Sequence, residues 1–255
     1  MECFIMKKCK RVLVTGATGG IGRAVVKDLL REGHLVLATG RNPDILSHLY
    51  REGAGVIEAD LTTKKGLDRV AAAAGAPDVV IFGAGTGTFL HAHELSDTEI
   101  AQTMEVNSVS PMKLLSRILP GMMERGSGHI IFIASAAGKV STKKTSVYSA
   151  SKGAVLGYAD ALRLEMAAHG IDVTTVNPGP VDTPFLDHVT PGSRYRESMK
   201  GYMISADEVS KAIITVMGRP IREVDLPWYM AAVTRIHSMA PTLTEKIGRN
   251  FFEKK

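Results

Sequence analysis

The sequence has few cysteines and few aromatic residues, and each shortage excludes a class of protein. Both cysteines, Cys3 and Cys9, lie in the first ten of its 255 residues. Two thiols so placed offer neither a disulfide framework nor a cluster of metal ligands, so we expect no metal site. Aromatic residues make up only 5% of the chain, and the net charge is +5. Because nucleic-acid-binding surfaces combine a basic stripe with exposed aromatic residues, we expect no nucleic-acid partner.

Long apolar runs are also missing. No stretch approaches the roughly 18 apolar residues of a membrane-spanning helix. The segment Met1–Arg11 is too short and too charged for a secretory signal. We therefore expect a cytoplasmic protein. With 45% hydrophobic and 22% charged residues, the chain should form a single domain over residues 1–255.

Short apolar runs alternate with helical patterns along most of the chain. Six runs are predicted to be strands: Arg11–Thr15, Leu35–Thr39, Val56–Ala59, Val79–Phe82, His129–Ala134 and Val173–Val176. Four segments have a helical spacing of apolar residues: Ile21–Glu32, Thr98–Met123, Val147–His169 and Ala206–Met217. Apolar strands separated by helices form a parallel sheet that is covered on both faces. The pattern predicts the α/β class, with a single doubly wound parallel sheet and helices on both faces.

The pattern changes after Val176. Residues 177–205 contain four of the eleven prolines and show little periodicity. A loop this long is unusual in a compact domain unless it is functional, so we predict a substrate lid over residues 184–205. Residues 222–255 form a C-terminal extension with many apolar and basic residues.

A glycine-rich loop, Thr15-Gly16-Ala17-Thr18-Gly19-Gly20-Ile21-Gly22, follows the first predicted strand and opens the first predicted helix. Glycines allow a tight turn and the close approach of a pyrophosphate, which the N-terminus of the helix stabilises. The glycine spacing differs from the G-x-G-x-x-G of most dinucleotide-binding folds. We predict that a dinucleotide binds to Gly16, Thr18, Gly20, Ile21 and Gly22.

The end of the second predicted strand indicates which dinucleotide binds. It reads Ala38-Thr39-Gly40-Arg41, and the next carboxylate is Asp44. A carboxylate at this position would bind the ribose 2′-hydroxyl of NAD, whereas an arginine accommodates the 2′-phosphate of NADP. Since Arg41 can pair with a phosphate through two N–H groups, we expect NADP(H) to be favoured over NAD(H).

Tyr148 and Lys152 are four residues apart, which places them on one face of a helix. An ammonium near the phenol favours the phenolate, so the hydroxyl becomes a usable proton donor and acceptor at neutral pH. Ser135 lies upstream and can stabilise a developing oxyanion. With the glycine loop, these residues predict hydride transfer at a carbonyl or an alcohol.

These motifs resemble the short-chain dehydrogenase/reductase family from about Lys10 to Met217. The glycine loop is similar to the family's TGxxxGxG, and further matches are Asp60-Leu61, Ala84-Gly85, Asn107, the set Ser135, Tyr148 and Lys152, and the segment Pro178-Gly179-Pro180-Val181-Asp182-Thr183. The chain departs from the family at Phe82-Gly83, where Asn-Asn is usual. The resemblance implies a Rossmann-type dinucleotide-binding oxidoreductase domain and an NADP(H)-preferring carbonyl reductase or alcohol dehydrogenase.

The resemblance also implies a role for each matched residue. Tyr148 is the acid and base and also contacts the cofactor. Ser135 holds the substrate oxygen, and Lys152 lowers the Tyr148 pKa and binds the nicotinamide ribose. Asn107 organises a water that relays protons to Lys152. The remaining cofactor contacts are Asp60 and Leu61 at the adenine, Ala84 and Gly85 at the adenosine, and Pro178, Gly179, Val181 and Thr183 at the nicotinamide carboxamide. The helices 98–123 and 147–169 would form the interface of a homodimer or homotetramer.

Two features bear on the substrate. Lys139, Lys143 and Lys144 either meet an anionic substrate, such as an acyl thioester carrier, or form a solvated loop. The tail lacks the final strand and the Gly-Gly ending common among acyl-carrier reductases. Instead, residues 226–255 read as an apolar helix with basic residues, Arg235, Lys246, Arg249, Lys254 and Lys255. Such a helix contacts a membrane peripherally, caps an apolar pocket, or packs against the core or a second subunit. We favour a lipophilic ketone or alcohol as substrate.

Other functions remain open at this point. One is a 3-oxoacyl-thioester reductase, and another is a non-catalytic NADP(H)-sensing regulator, which would need no Ser135, Tyr148 or Lys152. A sugar-nucleotide epimerase needs more than the roughly seventy residues that follow Val181. His91, His93 and Glu94 lack supporting ligands, so we interpret them as pocket wall or surface rather than a metal site.

Overall fold

The computed structural model describes residues 9–189 and 195–248. Within these residues the strands are β1 (Arg11–Thr15), β2 (Leu35–Gly40), β3 (Gly55–Glu58), β4 (Val79–Phe82), β5 (Gly128–Ile133), β6 (Ile171–Pro178), β7 (Val181–Asp182), β8 (Ile204–Ser205) and β9 (Glu223–Leu226). Seven of them form one sheet in the order β3-β2-β1-β4-β5-β6-β9, and all neighbouring pairs are parallel. The two-residue strands β7 and β8 pair with each other. The predicted doubly wound parallel sheet is confirmed.

The helices of the described residues are α1 (Gly20–Arg31), α2 (Pro43–Arg51), α3 (Lys64–Ala74), α4 (Asp97–Met104), α5 (Ser110–Arg125), α6 (Ser146–Ala167), α7 (Phe185–Val189), α8 (Tyr195–Met199), α9 (Ala206–Val216), α10 (Met230–Met239) and α11 (Pro241–Ile247). A π-helical turn, Glu105–Val109, joins α4 to α5. None of these helices is both long and apolar enough to cross a bilayer.

Each face of the sheet has its own apolar core because successive strand residues point to opposite sides. Val12 and Val14 of β1 pack into one core with side chains of α1, α2 and α9. Leu13, between them, packs into the other core with side chains of α3, α5 and α6. All three β1 side chains are no more than 1% exposed. The sheet is therefore buried on both faces, and its strand ends are the places where a ligand has access.

The structure corrects three expectations about the elements. The tail was expected to lack a final strand, yet β9 pairs with β6 in parallel, Val176 opposite Val224. Its sequence, Glu-Val-Asp-Leu, alternates charged and apolar residues at the sheet edge, so it has no continuous apolar run. Helices α2 and α3 were missed altogether. The predicted loop contains β7, α7, α8 and β8, while residues 190–194 of the predicted lid lie outside the described residues.

The strand order places the functional segments at one edge of the sheet. The order reverses between β1 and β4, whose connections run to opposite sides. In open parallel sheets, ligands bind outside the carboxyl ends of the strands at such a reversal. The glycine loop follows β1, the Gly83–Gly85 segment follows β4, and Ser135 follows β5. All three therefore meet at the same edge.

Candidate active site

A cleft with a volume of about 1010 Å³ runs along this edge of the sheet. One end is lined by the glycine loop and by the residues after β2 and β3, and the other by α7, α10 and α11. Ser135, Tyr148 and Lys152 line its middle. Its walls therefore bring together most of the residues singled out in the sequence.

The glycine loop is shaped so that backbone alone faces the cleft. Gly16 has a φ of +67°, and a Cβ there would lie 2.5 Å from the backbone nitrogen of Ala84. A Cβ on Gly20 would lie 2.5 Å from the Thr183 side chain. Helix α1 begins after Gly19 without a side-chain cap and with no acidic residue in its first turn. Its N–H groups are thus available to an anion, and the loop fits a dinucleotide pyrophosphate.

The departure from the family pattern at Gly83 has a structural reason. The backbone N–H groups of Gly83 and Ala84 donate to the Thr15 hydroxyl, with N–O distances of 3.1 and 3.4 Å. A Cβ on Gly83 would lie 2.9 Å from the Thr15 carbonyl oxygen and 3.1 Å from a methyl carbon of Ile133. An asparagine would not fit without displacing β1 or β5. The Thr15 hydroxyl holds this segment instead.

Two arginines line the end of the cleft beside the residues after β2 and β3, which we call the adenosine end because adenosine is predicted to bind there. Arg41, which is exposed, and Arg23 of α1 both line it. Asp60 accepts hydrogen bonds from the backbone N–H and the hydroxyl of Thr62, at 2.9 and 2.8 Å. These bonds, led by the one from the backbone N–H, and the charge of Arg41 hold the Asp60 pKa below its usual value. The sequence singled out Arg41 but not Arg23, which follows the last glycine of the loop.

The three candidate catalytic groups meet in the middle of the cleft. The hydroxyl of Ser135 accepts a hydrogen bond from the Ala137 N–H at 3.1 Å and is hydrogen-bonded to Tyr148. Lys152 is one helical turn beyond Tyr148 in α6, and its Nζ donates to the Ile133 carbonyl oxygen at 3.0 Å. The end of β5 thus holds the lysine and positions the serine.

The pKa values differ from the expectation that Lys152 makes Tyr148 more acidic. Tyr148 is half-buried, and burial raises the pKa of its hydroxyl to about 12, against a lowering by the Ser135 hydrogen bond. Burial lowers the pKa of Lys152 to about 8. Its Nζ lies 5.9 Å from the centre of the Tyr148 ring and is bonded to a carbonyl rather than to the phenol. In this arrangement burial sets the direction of the Tyr148 pKa shift, and what opposes it is the Ser135 hydrogen bond rather than the charge of Lys152.

Asn107 lies in the π-helical turn and is almost fully buried. Its side chain accepts from the Thr86 N–H at 2.8 Å and donates to the Thr86 carbonyl oxygen and the Ser151 hydroxyl, both at 2.9 Å. Ser151 in turn donates to the Tyr148 carbonyl oxygen at 2.7 Å. Asn107 therefore ties the segment after β4 to the turn of α6 that carries Tyr148. Thr86 and Ser151 were not singled out in the sequence.

The segment predicted to hold the nicotinamide carboxamide runs along the middle of the cleft. Pro178, Gly179, Val181 and Thr183 all line it. Ser135 donates to the Pro178 carbonyl oxygen at 3.5 Å, a long hydrogen bond. The side chain of Thr183 closes over Gly20 of the glycine loop. Both ends of this segment are thus in contact with predicted site residues.

Arg196 of α8 fixes the predicted lid to the carboxamide segment. Its guanidinium donates to the Thr183 carbonyl oxygen at 2.7 Å and pairs with Asp187 at 3.1 Å and with Asp182. No local motif marks Arg196, because its partners lie in two other elements.

The end of the cleft lined by α7, α10 and α11 is mostly apolar, and we call it the substrate end because the substrate is predicted to bind there. The Tyr148 ring packs between Phe89 and Phe185, with ring centres 5.3 and 5.9 Å away. Beyond them the lining includes Leu186, Met199, Met230, Val233, Ile236 and Ile247. The C-terminal extension therefore forms a wall of the cleft with α10 and α11. Arg249, Lys254 and Lys255 lie outside the described residues.

The three lysines between Ser135 and Tyr148 do not line the cleft. Lys139 instead pairs with Glu223 and Asp225 of β9, at 2.8 and 2.7 Å. The Asp225 side chain is only 4% exposed and also accepts from Asn177 at 2.9 Å. Lys139 neutralises the acidic edge strand, so neither of the two alternatives, contact with an anionic substrate or a place in a solvated loop, describes it.

His91 and His93 are exposed, and their rings stack with centres 5.7 Å apart. Glu94 accepts from the His91 backbone N–H at 2.8 Å. Within the residues that the structure describes, no three histidine, cysteine or acidic side chains are grouped to hold a metal ion.

Comparisons with a family model, with known sequences and with solved structures all find oxidoreductases. The family model for short chain dehydrogenase matches residues 10–193. An uncharacterized oxidoreductase of Staphylococcus epidermidis is 32% identical over 223 residues, which cover 84% of this chain and 93% of that protein. A short-chain dehydrogenase from Streptomyces avermitilis has a similar fold, with a TM-score of 0.81, 27% identity and coverage of 96% and 99% of the two chains. A serine dehydrogenase solved in complex with NADP+ has a TM-score of 0.78, 28% identity and coverage of 85% and 94%.

Proposed function

The chain belongs to the short-chain dehydrogenase family of oxidoreductases, and within it we propose an NADP(H)-dependent enzyme that reduces a lipophilic ketone or oxidises the corresponding secondary alcohol. The observation that carries the proposal is the meeting of Ser135, Tyr148 and Lys152 between a glycine-lined end and an apolar end of one cleft. A hydride donor bound at the glycine-lined end and a carbonyl compound bound at the apolar end would meet at these three residues.

In this proposal the cofactor, Tyr148 and Ser135 each have a distinct role in the reaction. When bound, the nicotinamide cofactor supplies the hydride in reduction and accepts it in oxidation. The Tyr148 hydroxyl gives its proton to the substrate oxygen in reduction and takes it back in oxidation. The Ser135 hydroxyl donates a hydrogen bond to that oxygen and stabilises its developing charge. A phenol with a pKa of about 12 stays protonated at neutral pH, which suits the proton donor in the reductive direction.

Lys152 contributes a positive charge near this proton. Burial lowers its pKa to about 8, so it is mostly charged at pH 7. We assign it the nicotinamide ribose as partner, and Asn107 the role of holding the surrounding segments in register. The water relay through Asn107 stays part of the proposal.

The preference for NADP(H) is supported by Arg41 and Arg23 at the adenosine end and by the lack of a carboxylate at the end of β2. A guanidinium pairs with a 2′-phosphate through charge-assisted hydrogen bonds, whereas a free 2′-hydroxyl gives it no ionic partner. The serine dehydrogenase that the fold resembles was solved with NADP+. We also propose a homodimer or homotetramer through α5 and α6.

Two observations bear on the alternative of a 3-oxoacyl-thioester reductase. Lys139, Lys143 and Lys144 do not line the cleft, which counts against it, whereas β9 supplies the final strand whose expected absence had counted against it. Every observation that fits a non-catalytic NADP(H) sensor also fits the enzyme, so none favours the sensor.

The test is a titration of the purified protein with NADPH and NADH, followed by turnover measurements on ketones graded by chain length. We expect NADPH to bind more tightly and kcat/KM to rise with the apolar length of the ketone. Tight binding without turnover on any ketone or aldehyde would favour the sensor. Equal affinity for NADPH and NADH would refute the role given to Arg41.

A further inference from the structure

Arg196 of α8 contacts both ends of the segment that follows β7. Its guanidinium bonds the two oxygens of the Asp187 carboxylate, each at 3.1 Å, and it also pairs with Asp182. A further N–H donates to the Thr183 carbonyl oxygen at 2.7 Å. Isolated ion pairs on a protein surface contribute little, but a bidentate pair of arginine and carboxylate with further bonds is an exception. The side chain of Arg196 therefore ties the end of β7 and the start of α7 to α8.

Thr183 is the residue that brings this segment to the glycine loop. It is only 6% exposed, and it lines the cleft. A Cβ added to Gly20 would lie 2.5 Å from the Thr183 methyl carbon and 2.7 Å from its Cβ. Gly20 is the first residue of α1, at the end of the helix whose N–H groups are available to an anion. Thr183 therefore lies beside the place where the pyrophosphate of a dinucleotide is proposed to bind.

The backbone of Thr183 lies beyond the strand pairing that precedes it. β7 ends one residue earlier, at Asp182, where its pairing with β8 also ends. The Thr183 carbonyl oxygen accepts from the Leu186 N–H at 3.2 Å and from Arg196 at 2.7 Å. Of these two bonds, the first stays within the segment and the second comes from another helix. The position of Thr183 against the glycine loop therefore depends on Arg196.

The helices α7 and α8 are held by apolar packing that does not involve the guanidinium. Leu186 and Val189 of α7 form a buried cluster with Met199 of α8 and with Phe89. The Phe89 N–H also donates to the Val189 carbonyl oxygen at 2.8 Å. Loss of the guanidinium should therefore leave both helices in place and release mainly the residues just after β7. The role of Arg196 can thus be tested separately from the stability of the fold.

Arg196 itself does not line the cleft, so it reaches the dinucleotide site through Thr183. Its positive charge is accompanied by two carboxylates, those of Asp182 and Asp187. The three side chains together therefore offer no net positive charge to an anionic cofactor. An effect of Arg196 on the cofactor would come from the position of Thr183 rather than from electrostatic attraction.

We propose that Arg196 is a positioning residue for the dinucleotide and that, by holding Thr183 against the glycine loop, it slows the release of the bound cofactor. The inference rests on the dinucleotide binding of the proposed function, and it is independent of the substrate. Changes within one binding site alter dissociation more than association, so the dissociation rate is the quantity to measure.

The test measures NADPH binding to the full chain by fluorescence, at equilibrium for the Kd and by stopped flow for the two rates. Arg196→Met removes the guanidinium and keeps most of the length of the side chain. We expect the Kd to rise about tenfold through faster dissociation, with an association rate within about twofold of the wild type. Arg31→Met is the control, because Arg31 pairs with Asp28 at 3.5 Å on α1 and does not line the cleft. It should bind and release NADPH like the wild type.

Two further variants distinguish position from charge. Asp187→Asn removes a negative charge, which would tighten the binding of NADPH if charge alone mattered. If Asp187 instead helps Arg196 to hold Thr183, the same change speeds release by about threefold and has no further effect when combined with Arg196→Met. Tighter binding by Asp187→Asn, or additive effects of the two changes, would overturn the proposal. Arg196→Lys keeps the charge without the bidentate geometry and should release NADPH at an intermediate rate. Both variants keep the test decisive if Arg196→Met does not fold.

Hydrogen exchange gives a readout that needs no cofactor. The Leu186 amide, which donates to the Thr183 carbonyl oxygen, should exchange faster in Arg196→Met than in the wild type. The amides of β6, in the middle of the sheet, should exchange at the same rate in both proteins. Unchanged exchange at Leu186 would mean that Arg196 does not position the segment.

The outcomes separate this inference from the proposed function. If NADPH binds but no ketone or aldehyde turns over, the proposed reaction is wrong, and the dissociation rates alone decide on Arg196. Release of NADPH from Arg196→Met at the rate of the wild type overturns the inference alone. Slower association with unchanged dissociation also overturns it, since Arg196 would then attract the cofactor by its charge. A wild type that binds neither NADPH nor NADH overturns both.

Discussion

At the cofactor end of the cleft the backbone packs so closely that Gly16 and Gly20 have no room for a Cβ, whereas at the substrate end α10 and α11 expose most of their side chains. The first end is built from loops that follow central strands of the sheet. The second is joined to the sheet through the edge strand β9. A closely packed backbone suits a ligand of one shape, whereas a wall of apolar side chains can accept apolar ligands of several shapes. The difference explains why motifs predict the cofactor better than the substrate.

Tyr148 lies where the two ends meet, so its removal should have the largest effect. We expect Tyr148→Phe to lower kcat by about 10²–10⁴-fold, because it deletes the proton donor while keeping the ring between Phe89 and Phe185. NADPH affinity should change little. Steady-state kinetics and a fluorescence titration check both expectations, with Tyr50→Phe on α2 as the control. A variant that retains most of its activity would remove Tyr148 from the mechanism.

Lys139 links the segment after Ser135 to β9, the strand that leads into α10 and α11 at the substrate end. We expect Lys139→Met to lower the free energy of unfolding by about 3 kcal/mol, since it leaves the buried Asp225 carboxylate without its cation. Urea denaturation measures this loss. The matched change at the exposed Lys65 should cost less than about 0.5 kcal/mol. Equal stability of the two variants would mean that β9 does not depend on the ion pair.

Arg41 should affect the cofactor end alone. We expect Arg41→Ala to raise the Kd of NADPH about 10- to 100-fold, since a charge-assisted hydrogen bond contributes roughly 1.5–3 kcal/mol. The Kd of NADH and the preference among ketones should stay the same. Arg51→Ala, at the other end of α2, is the control. A parallel loss for both cofactors would indicate a general electrostatic effect rather than recognition of the 2′-phosphate.

Val233 should affect the substrate end alone, and by the smallest amount. We expect Val233→Ala to lower kcat/KM for a long-chain ketone by about fivefold, because about 1 kcal/mol of apolar contact is lost. The Kd of NADPH and the activity on a short ketone should not change. Leu35→Ala, far from the cleft, serves as the control. A change in cofactor affinity would show that the two ends are coupled.

Much of the fold was predictable because its signals are local. The strand β1, the glycine loop and α1 follow one another within about twenty residues, and each has a pattern that requires no knowledge of the rest of the chain. The spacing of Tyr148 and Lys152 is likewise set by one helix. The site roles given to the glycines of the loop, Tyr148 and Lys152 stay predictions, although these residues all line the same cleft.

The features that were missed depend on distant partners. β9 carries Glu223 and Asp225, so its sequence has no continuous apolar run, and the lysine that neutralises them, Lys139, is more than eighty residues away. The pKa of Tyr148 is decided by how deeply its neighbours bury it, which spacing does not reveal. The periodicity of the tail predicted a helix with an apolar face, but only the structure shows that this face points outward on α10.

The attachment of the tail through β9 makes the protein suited to recombination. Residues from Trp228 onward contribute no side chain to the apolar clusters within the described part of the chain, and they begin directly after Leu226 and Pro227. A single crossover at this point would exchange the wall of the substrate pocket while leaving the sheet, the cofactor loops and the catalytic residues untouched. Chimeras of this chain with its relatives, joined after β9, should therefore fold and inherit the substrate preference of the donor of the tail.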